Sequence, residues 1–127
     1  MKFPQSYVNL LRKISHYDVV SFDIFDTAVH RIVTNPEDVF LILGEKFGIP
    51  NFRELRINAE KLAREKAFKD FGVREVTIFD IYKEFNKFSS INIEEAIKAE
   101  LSVEKKICYA NPYIKYIYDC LREQGKI

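Results

Sequence analysis

Apolar residues recur at helical spacing along most of this chain, with one clear interruption near the start. Tyr7, Leu10, Leu11 and Ile14 predict a short amphipathic helix over 4–15. Val19, Val20, Ser21 and Phe22 then break the period. Their β-branched and aromatic character, ending in Asp23, predicts a strand. The run is almost continuously apolar, which predicts burial on both faces, as in a parallel sheet covered by helices.

Beyond Asp23 the pattern is helical almost throughout. Asn35 and Pro36 predict an N-cap and first helical residue, with Glu37 and Asp38 in the first turn. Val39, Phe40, Leu43 and Phe47 line one face, and Gly48 and Pro50 stop the helix. A longer helix is predicted over roughly 52–70. Leu55, Ala59, Leu62 and Ala63 point inward, while Glu60–Arg64 and Glu65–Lys69 pair at i,i+4 on the outer face. Thr77 and Asp80 have the form of a capping box for a helix bearing Ile78, Ile81, Tyr82 and Phe85. Asn92 and Glu95 do the same for a helix bearing Ile93, Ile97, Leu101 and Cys108. Asn111 and Pro112 open a last helix with Ile114, Ile117, Tyr118 and Leu121 on its apolar face, ended by Gly125. Lys126 and Ile127 look like the first residues of another strand. A lone strand cannot satisfy its own backbone groups. The Val19–Phe22 strand is therefore expected to pair with another chain, making a homo-oligomer, or with residues beyond Ile127.

Composition narrows the functional classes. A length of 127 residues suits one domain, and 47% hydrophobic with 31% charged residues excludes disorder. With 20 basic against 19 acidic side chains, no positive excess exists to hold a nucleic-acid backbone, so no nucleic-acid partner is expected. The 11 Phe and 7 Tyr suffice to fill a core. Cys108 and Cys120 both fall in segments that read as helical. Neither belongs to a CxxC pair, and His16 and His30 are isolated. Neither zinc site nor disulfide is expected, and the thiols suit a reducing compartment. Met1 to His16 lacks an apolar stretch of signal-peptide length, and the densest apolar run, Val39–Leu43, is far short of a membrane span. The expectation is a cytoplasmic protein without a membrane partner.

The candidate chemistry lies in Tyr17 to Arg31, YDVVSFDIFDTAVHR. Asp23 ends the predicted strand, and a polar turn holding Asp26 and Thr27 follows. Carboxyl ends of parallel strands are where α/β proteins place ligand sites, and an aspartate there suits phosphate or metal. A strand-end aspartate commonly just caps the next turn. From the residues alone the capping reading is the favoured one, with the ligand site as the alternative.

An apolar strand followed by Asp-x-x-x-Thr resembles the first motif of the haloacid-dehalogenase-like (HAD) hydrolase superfamily. The form SFDIFDT, with Arg31 just beyond, is similar to a bacterial branch of predicted HAD hydrolases often associated with surface-polysaccharide and glycosyltransferase genes. The helix start at Asn35 to Phe40, the Asn58-Ala59-Glu60 stretch and Thr77 to Tyr82 resemble the helical cap of such proteins. The resemblance implies an α/β, HAD-like (Rossmannoid) fold, represented here by its first strand and a mainly helical cap. Residues 1–34 would begin the core, 35–108 form the cap, and 109–127 return to the core before the second motif.

The resemblance further implies that Asp23 attacks phosphorus to form an aspartyl-phosphate, and that Thr27 supports the turn. Mg²⁺ would be held by the Asp23 carboxylate and the Phe25 backbone carbonyl. The implied function is a Mg²⁺-dependent phosphatase or phosphotransferase acting on a small phosphorylated metabolite. The sequence departs from the family pattern at Phe25, where the common phosphatase form has a second aspartate as general acid and base. Asp26 is the neighbouring candidate for that role. A good leaving group needs little protonation, so the loss argues against a general phosphomonoesterase. Dehalogenase members carry an aromatic residue there, which makes carbon–halogen cleavage a minor alternative. The Ser/Thr, Lys and acidic residues of the later motifs would all follow Ile127. The 127-residue chain alone is therefore expected to be inactive or nearly so, and a truncated or degenerate HAD module used for binding or assembly is the competing expectation.

Elsewhere the signals are weaker. Arg31 suits either a substrate phosphate or a carboxylate partner. Glu100 and Glu104 stand at i,i+4, a spacing that can present two carboxylates to a metal, but Lys105 and Lys106 beside them favour a solvated face. Tyr113, Tyr116 and Tyr118 read as core and rim rather than a base-stacking platform.

Overall fold

Side-chain caps open three of the helices. In the computed structural model, which describes residues 4–127, the Thr77 hydroxyl accepts the Asp80 N–H at 3.2 Å. The Asp80 carboxylate accepts the Thr77 N–H at 3.0 Å in return, opening α4 (Ile78–Phe85) with a complete capping box. The Asn92 side chain accepts the Glu95 N–H at 3.0 Å ahead of α5 (Ile93–Ile107). Asn111 accepts the Tyr113 N–H at 3.0 Å ahead of α6 (Pro112–Glu123), with Pro112 in the first turn. The remaining helices are α1 (Gln5–Ile14), α2 (Asp38–Phe47) and α3 (Phe52–Phe71). Residues 1–3, the opening of the predicted 1–34 segment, lie outside the described residues.

One cap differs from expectation. The Asn35 side chain accepts the Glu37 N–H at 3.1 Å and its carbonyl accepts the Asp38 N–H at 3.0 Å. Those short-range bonds make Asn35–Pro36 a separate turn, and α2 begins only at Asp38.

The fold is helix-dominated, with one two-stranded sheet among the described residues. Length alone suggests one domain, but the chain forms two compact units. One runs up to Ile32 and resumes over Cys108–Ile127, and the other is Val33–Ile107. The second has a core of its own, which is why it separates.

Within Val33–Ile107, α3 packs on α2 and α4, and α5 packs on the same two helices. Val39, Leu43, Phe52, Ala59, Tyr82, Phe85 and Ala96 are buried between them. The Phe52 and Phe85 rings lie 4.9 Å apart. Gly44 lets α2 and α3 approach, since a Cβ there would stand 2.9 Å from the Phe52 Cβ.

A buried charge cluster crosses this core. The Arg56 guanidinium, 4% exposed, donates to both Glu100 carboxylate oxygens at 3.2 and 2.9 Å and to Glu60 at 3.0 Å. The Tyr82 hydroxyl also donates to Glu100, and the guanidinium carbon lies 4.6 Å from the Phe40 ring centre. Glu100 is thus no part of a solvated face. It follows Ala96 by one helical turn on the buried stripe of α5, and the partner that permits its burial sits on α3. Glu60 holds Arg64 at 2.7 Å as its spacing predicts. Burial favours neutral forms, yet ion pairing prevails. Arg56 is raised by Glu100, and Glu60 is lowered by Arg64 and Arg56. Burial and then the Glu100 charge push the Tyr82 phenol far upward, which keeps it a donor.

In the other unit, the stacked rings of Tyr7 and Tyr113, 5.0 Å apart, join α1 to α6. Strand β1 (Val29–Arg31) pairs antiparallel with β2 (Cys108–Ala110) in the register Val29–Ala110, His30–Tyr109, Arg31–Cys108. Cys108 is therefore a strand residue rather than a helical one. Helical periodicity runs up to it, and only the non-local pairing ends the helix at Ile107.

The predicted Val19–Phe22 strand is extended but not buried on both faces. Val20 N–H donates to the Ile127 carbonyl at 2.8 Å, and Ile127 N–H to the Asp18 carbonyl at 3.1 Å. Two bonds to one residue, straddling its opposite number, form the pattern of a parallel pair. Side chains alternate: Val20 and Phe22 are half-buried, the latter against Tyr118 of α6 at 5.9 Å between ring centres. Val19, 64% exposed, faces the other way with Ser21 and Asp23. Only the α6 side is covered among the described residues, so one face stays open. No described helix is long and apolar enough to cross a membrane.

Two outcomes test the buried cluster. Glu100→Ala leaves Arg56 buried without its main partner and lowers the unfolding free energy in urea by about 3–5 kcal/mol. Replacing both ends, Arg56→Met with Glu100→Leu, costs clearly less. Acid unfolding gives the second. The folded Glu60 carboxyl lies below its ordinary 4.5, so its contribution is present above that value and is lost as pH falls through the folded one. Thermal midpoints between about pH 5 and pH 3 fall less steeply in Glu60→Gln than in the parent.

Candidate active site

Where the extended segment ends, Ile24 to Val29 folds into a tight turn. The Ile24 carbonyl accepts N–H groups from Val29 at 2.8 Å and Thr27 at 3.4 Å, while Asp26 N–H donates to the Val29 carbonyl at 2.8 Å. Phe25 and Val29 form an isolated parallel bridge. Asp26 adopts φ 61°, a left-handed conformation that aspartate tolerates better than most side chains.

This turn closes the Asp-x-x-x-Thr spacing. The Thr27 hydroxyl donates to Asp23 Oδ2 at 3.0 Å. Asp23 is exposed, and its Oδ1 has no hydrogen bond among the described residues. A carboxylate held by one oxygen and open at the other is oriented for attack or for ligation. Asp26 is exposed as well, but no hydrogen bond joins its carboxylate to Asp23 or Thr27 among the described residues.

Phe25 and Arg31 form the second grouping. The guanidinium carbon of Arg31 lies 4.2 Å from the Phe25 ring centre, and the ring itself is 51% exposed. Arg31 reaches this position because β1 carries it back past the turn, opposite Cys108 in β2. The structure therefore brings Asp23 to Thr27 and Phe25 to Arg31. His30, on the same strand, lies 5.7 Å from Tyr109 between ring centres.

Asn111 ties the turn down from the far end of the chain. Its side-chain N–H donates to the Thr27 carbonyl at 3.1 Å and its backbone N–H to the Ala28 carbonyl at 2.8 Å. Sequence reasoning assigned Asn111 only a cap. The missed signal is the amide group itself: the oxygen serves the cap, which leaves two donors that a residue 9% exposed must place.

For Mg²⁺ the candidate donors are the Asp23 carboxylate and the Phe25 carbonyl. Both are hard oxygens of the kind that ion takes, and Mg²⁺ is commonly held by one or two carboxylates with phosphate and water completing the shell. Among the described residues no group of three or more His, Cys, Asp or Glu side chains could hold a metal. The chain thus fits part of a Mg²⁺ shell. Neither a scan against protein-family models nor a search of curated proteins finds a match to this sequence.

Asn111→Ala removes a cap and an anchor together and lowers stability by about 1–2 kcal/mol. Asn111→Asp keeps the cap acceptor but not the donor to Thr27, and falls between. Hydrogen exchange at Thr27 and Val29 accelerates in both variants. Unchanged protection there would show that the turn holds itself without Asn111.

Proposed function

We propose that Asp23 is the nucleophile of a HAD-like hydrolase, a Mg²⁺-dependent phosphatase or phosphotransferase acting on a small phosphorylated metabolite. The observation that carries this reading is the Thr27 hydroxyl on Asp23 Oδ2 at 3.0 Å, with the other carboxylate oxygen open to solvent. A turn that merely capped itself would direct the Asp23 carboxylate to a backbone N–H. Here it takes a side-chain hydroxyl four residues on, and backbone groups close the turn without it.

In this reading Asp23 forms an aspartyl-phosphate, which water then hydrolyses. Thr27 fixes the attacking carboxylate. Asp23 and the Phe25 carbonyl would hold Mg²⁺, which when bound supplies charge neutralisation at the phosphoryl oxygens. Phe25 offers no proton to a leaving group, so the substrate class is one whose leaving group departs readily, an acyl phosphate or a phosphoanhydride. The helical unit Val33–Ile107, inserted between β1 and β2, is the counterpart of a cap, and the extended Val19–Phe22 segment with Ile127 is the counterpart of the core's central strands.

A second reading draws support from Phe25 itself. An apolar ring stands where the acid would be, in contact with Arg31, which suits a module that has kept the turn for binding and lost the chemistry.

Beryllofluoride, a mimic of the aspartyl-phosphate, separates the two. The enzyme reading expects a Mg²⁺-dependent rise in thermal midpoint that disappears in Asp23→Asn and shrinks in Thr27→Val. No rise in the parent chain, or one that survives Asp23→Asn, overturns the nucleophile assignment and leaves the binding module.

A further inference from the structure

We infer that Asn111 is a positioning residue for the Asp23 carboxylate, acting through Thr27. It decides which carboxylate oxygen is occupied and which stays open. The contacts stand on geometry, and their consequence for phosphoryl transfer rests on the nucleophile reading.

Inside the turn, Val29 N–H meets the Ile24 carbonyl and Asp26 N–H meets the Val29 carbonyl, both at 2.8 Å. Thr27 N–H reaches the Ile24 carbonyl only at 3.4 Å, beyond the usual range of an N–H···O bond. Thr27 is therefore the residue that the turn holds least well by itself. Its carbonyl accepts from the Asn111 side chain at 3.1 Å, and the next carbonyl, of Ala28, accepts the Asn111 backbone N–H at 2.8 Å. No other donor reaches either carbonyl among the described residues. The two peptide planes that follow Thr27 thus take their direction from residue 111.

That direction passes to the side chain. Threonine is branched at Cβ, so few χ1 rotamers are open to it at a given backbone conformation. Fixing the Thr27 backbone fixes where its hydroxyl points, and it points to Asp23 Oδ2 at 3.0 Å. Asp23 is exposed, so water competes for that bond, and a hydroxyl already aimed holds it best.

The residue type at 111 fits this task. Asparagine, aspartate and serine cap helices about equally well. Only asparagine carries an acceptor and donors on separate atoms of one side chain. Its oxygen caps α6 through Tyr113 N–H while its nitrogen grips Thr27. Asn111 follows β2 directly, so the pairing with β1 places it.

Asn111→Asp separates positioning from support, since it keeps the cap acceptor and loses the donor. Three-bond couplings about the Thr27 χ1 bond are expected to report one rotamer in the parent and averaged rotamers in Asn111→Asp. Thr77→Ala, a cap lost in the other unit, brings a comparable loss of stability and leaves those couplings unchanged. Beryllofluoride with Mg²⁺, titrated against the same proteins, binds Asn111→Asp about tenfold more weakly and Thr77→Ala as it binds the parent. In a Thr27→Val background, Asn111→Asp weakens binding by about threefold or less, because the hydroxyl it would direct is gone. A mere charge effect of the new aspartate persists in that background. Parent-like Thr27 couplings in Asn111→Asp overturn the positioning role, as does an undiminished loss of binding in the Thr27→Val background. If the parent binds no beryllofluoride while the couplings still average in Asn111→Asp, the nucleophile reading falls and the positioning of Thr27 stands.

Discussion

Three residue pairs between β1 and β2 are the constraint on which the candidate site depends. Val29, His30 and Arg31 meet Ala110, Tyr109 and Cys108 although the whole segment Val33–Ile107 intervenes in sequence. Closing so long a loop costs conformational entropy, which grows only slowly with length. The cost is borne more easily because the intervening residues fold around their own core and are not a slack loop. Once the strands pair, Asn111 follows Ala110 directly and meets the carbonyls of Thr27 and Ala28. The same pairing carries Arg31 back to Phe25. Asp23–Thr27 is thus a local contact of a turn that the pairing anchors, and Phe25–Arg31 is a contact that the pairing itself brings about.

Inside Val33–Ile107 the comparable element is the Arg56–Glu100 pair. Hydrophobic burial between helices is non-directional and tolerates sliding. A bidentate guanidinium–carboxylate contact is not, and this one links α3 to α5 while Tyr82 adds α4. Buried pairs of this kind add little net stability but are costly to break. The directionality of this pair ties the three helices to one register, which apolar contact alone specifies less sharply. Phe40, lying over the same guanidinium, brings α2 into the set.

How much of this was legible in the sequence follows from the range of each interaction. Capping boxes are local, and Thr77 with Asp80 announces its helix unambiguously. Asn92 and Asn111 do so as well. Asn35 has the same local form, yet the backbone turns first, because an Asx turn competes with a cap for the same side chain. Glu100 was misplaced since a helix pattern says which residues share a face but not what that face meets. Only Arg56, 44 positions away, decides it. β2 was invisible for a related reason: three residues continuing a helical period become a strand only when a distant partner exists. The spacing of Asp23 and Thr27 was legible, and their hydrogen bond follows from it. Asn111's grip on the turn was not, because it spans 84 positions.

Phe25 is where local and non-local information meet. As a letter in the sequence it is a departure, an aromatic side chain in place of an acid. That description is subtractive, recording what the position cannot do. The structure adds the partner: an arginine six positions on, held against the ring by a strand whose own partner lies far along the chain. An aromatic residue at this place alters charge as well as proton transfer: the ring meets the guanidinium and adds no carboxylate to those of Asp23 and Asp26. In the proposed reading attack belongs to Asp23, and position 25 offers no proton to the leaving group. On that proposal the turn suits substrates that bring their own good leaving group, because position 25 gives no assistance to the departing oxygen.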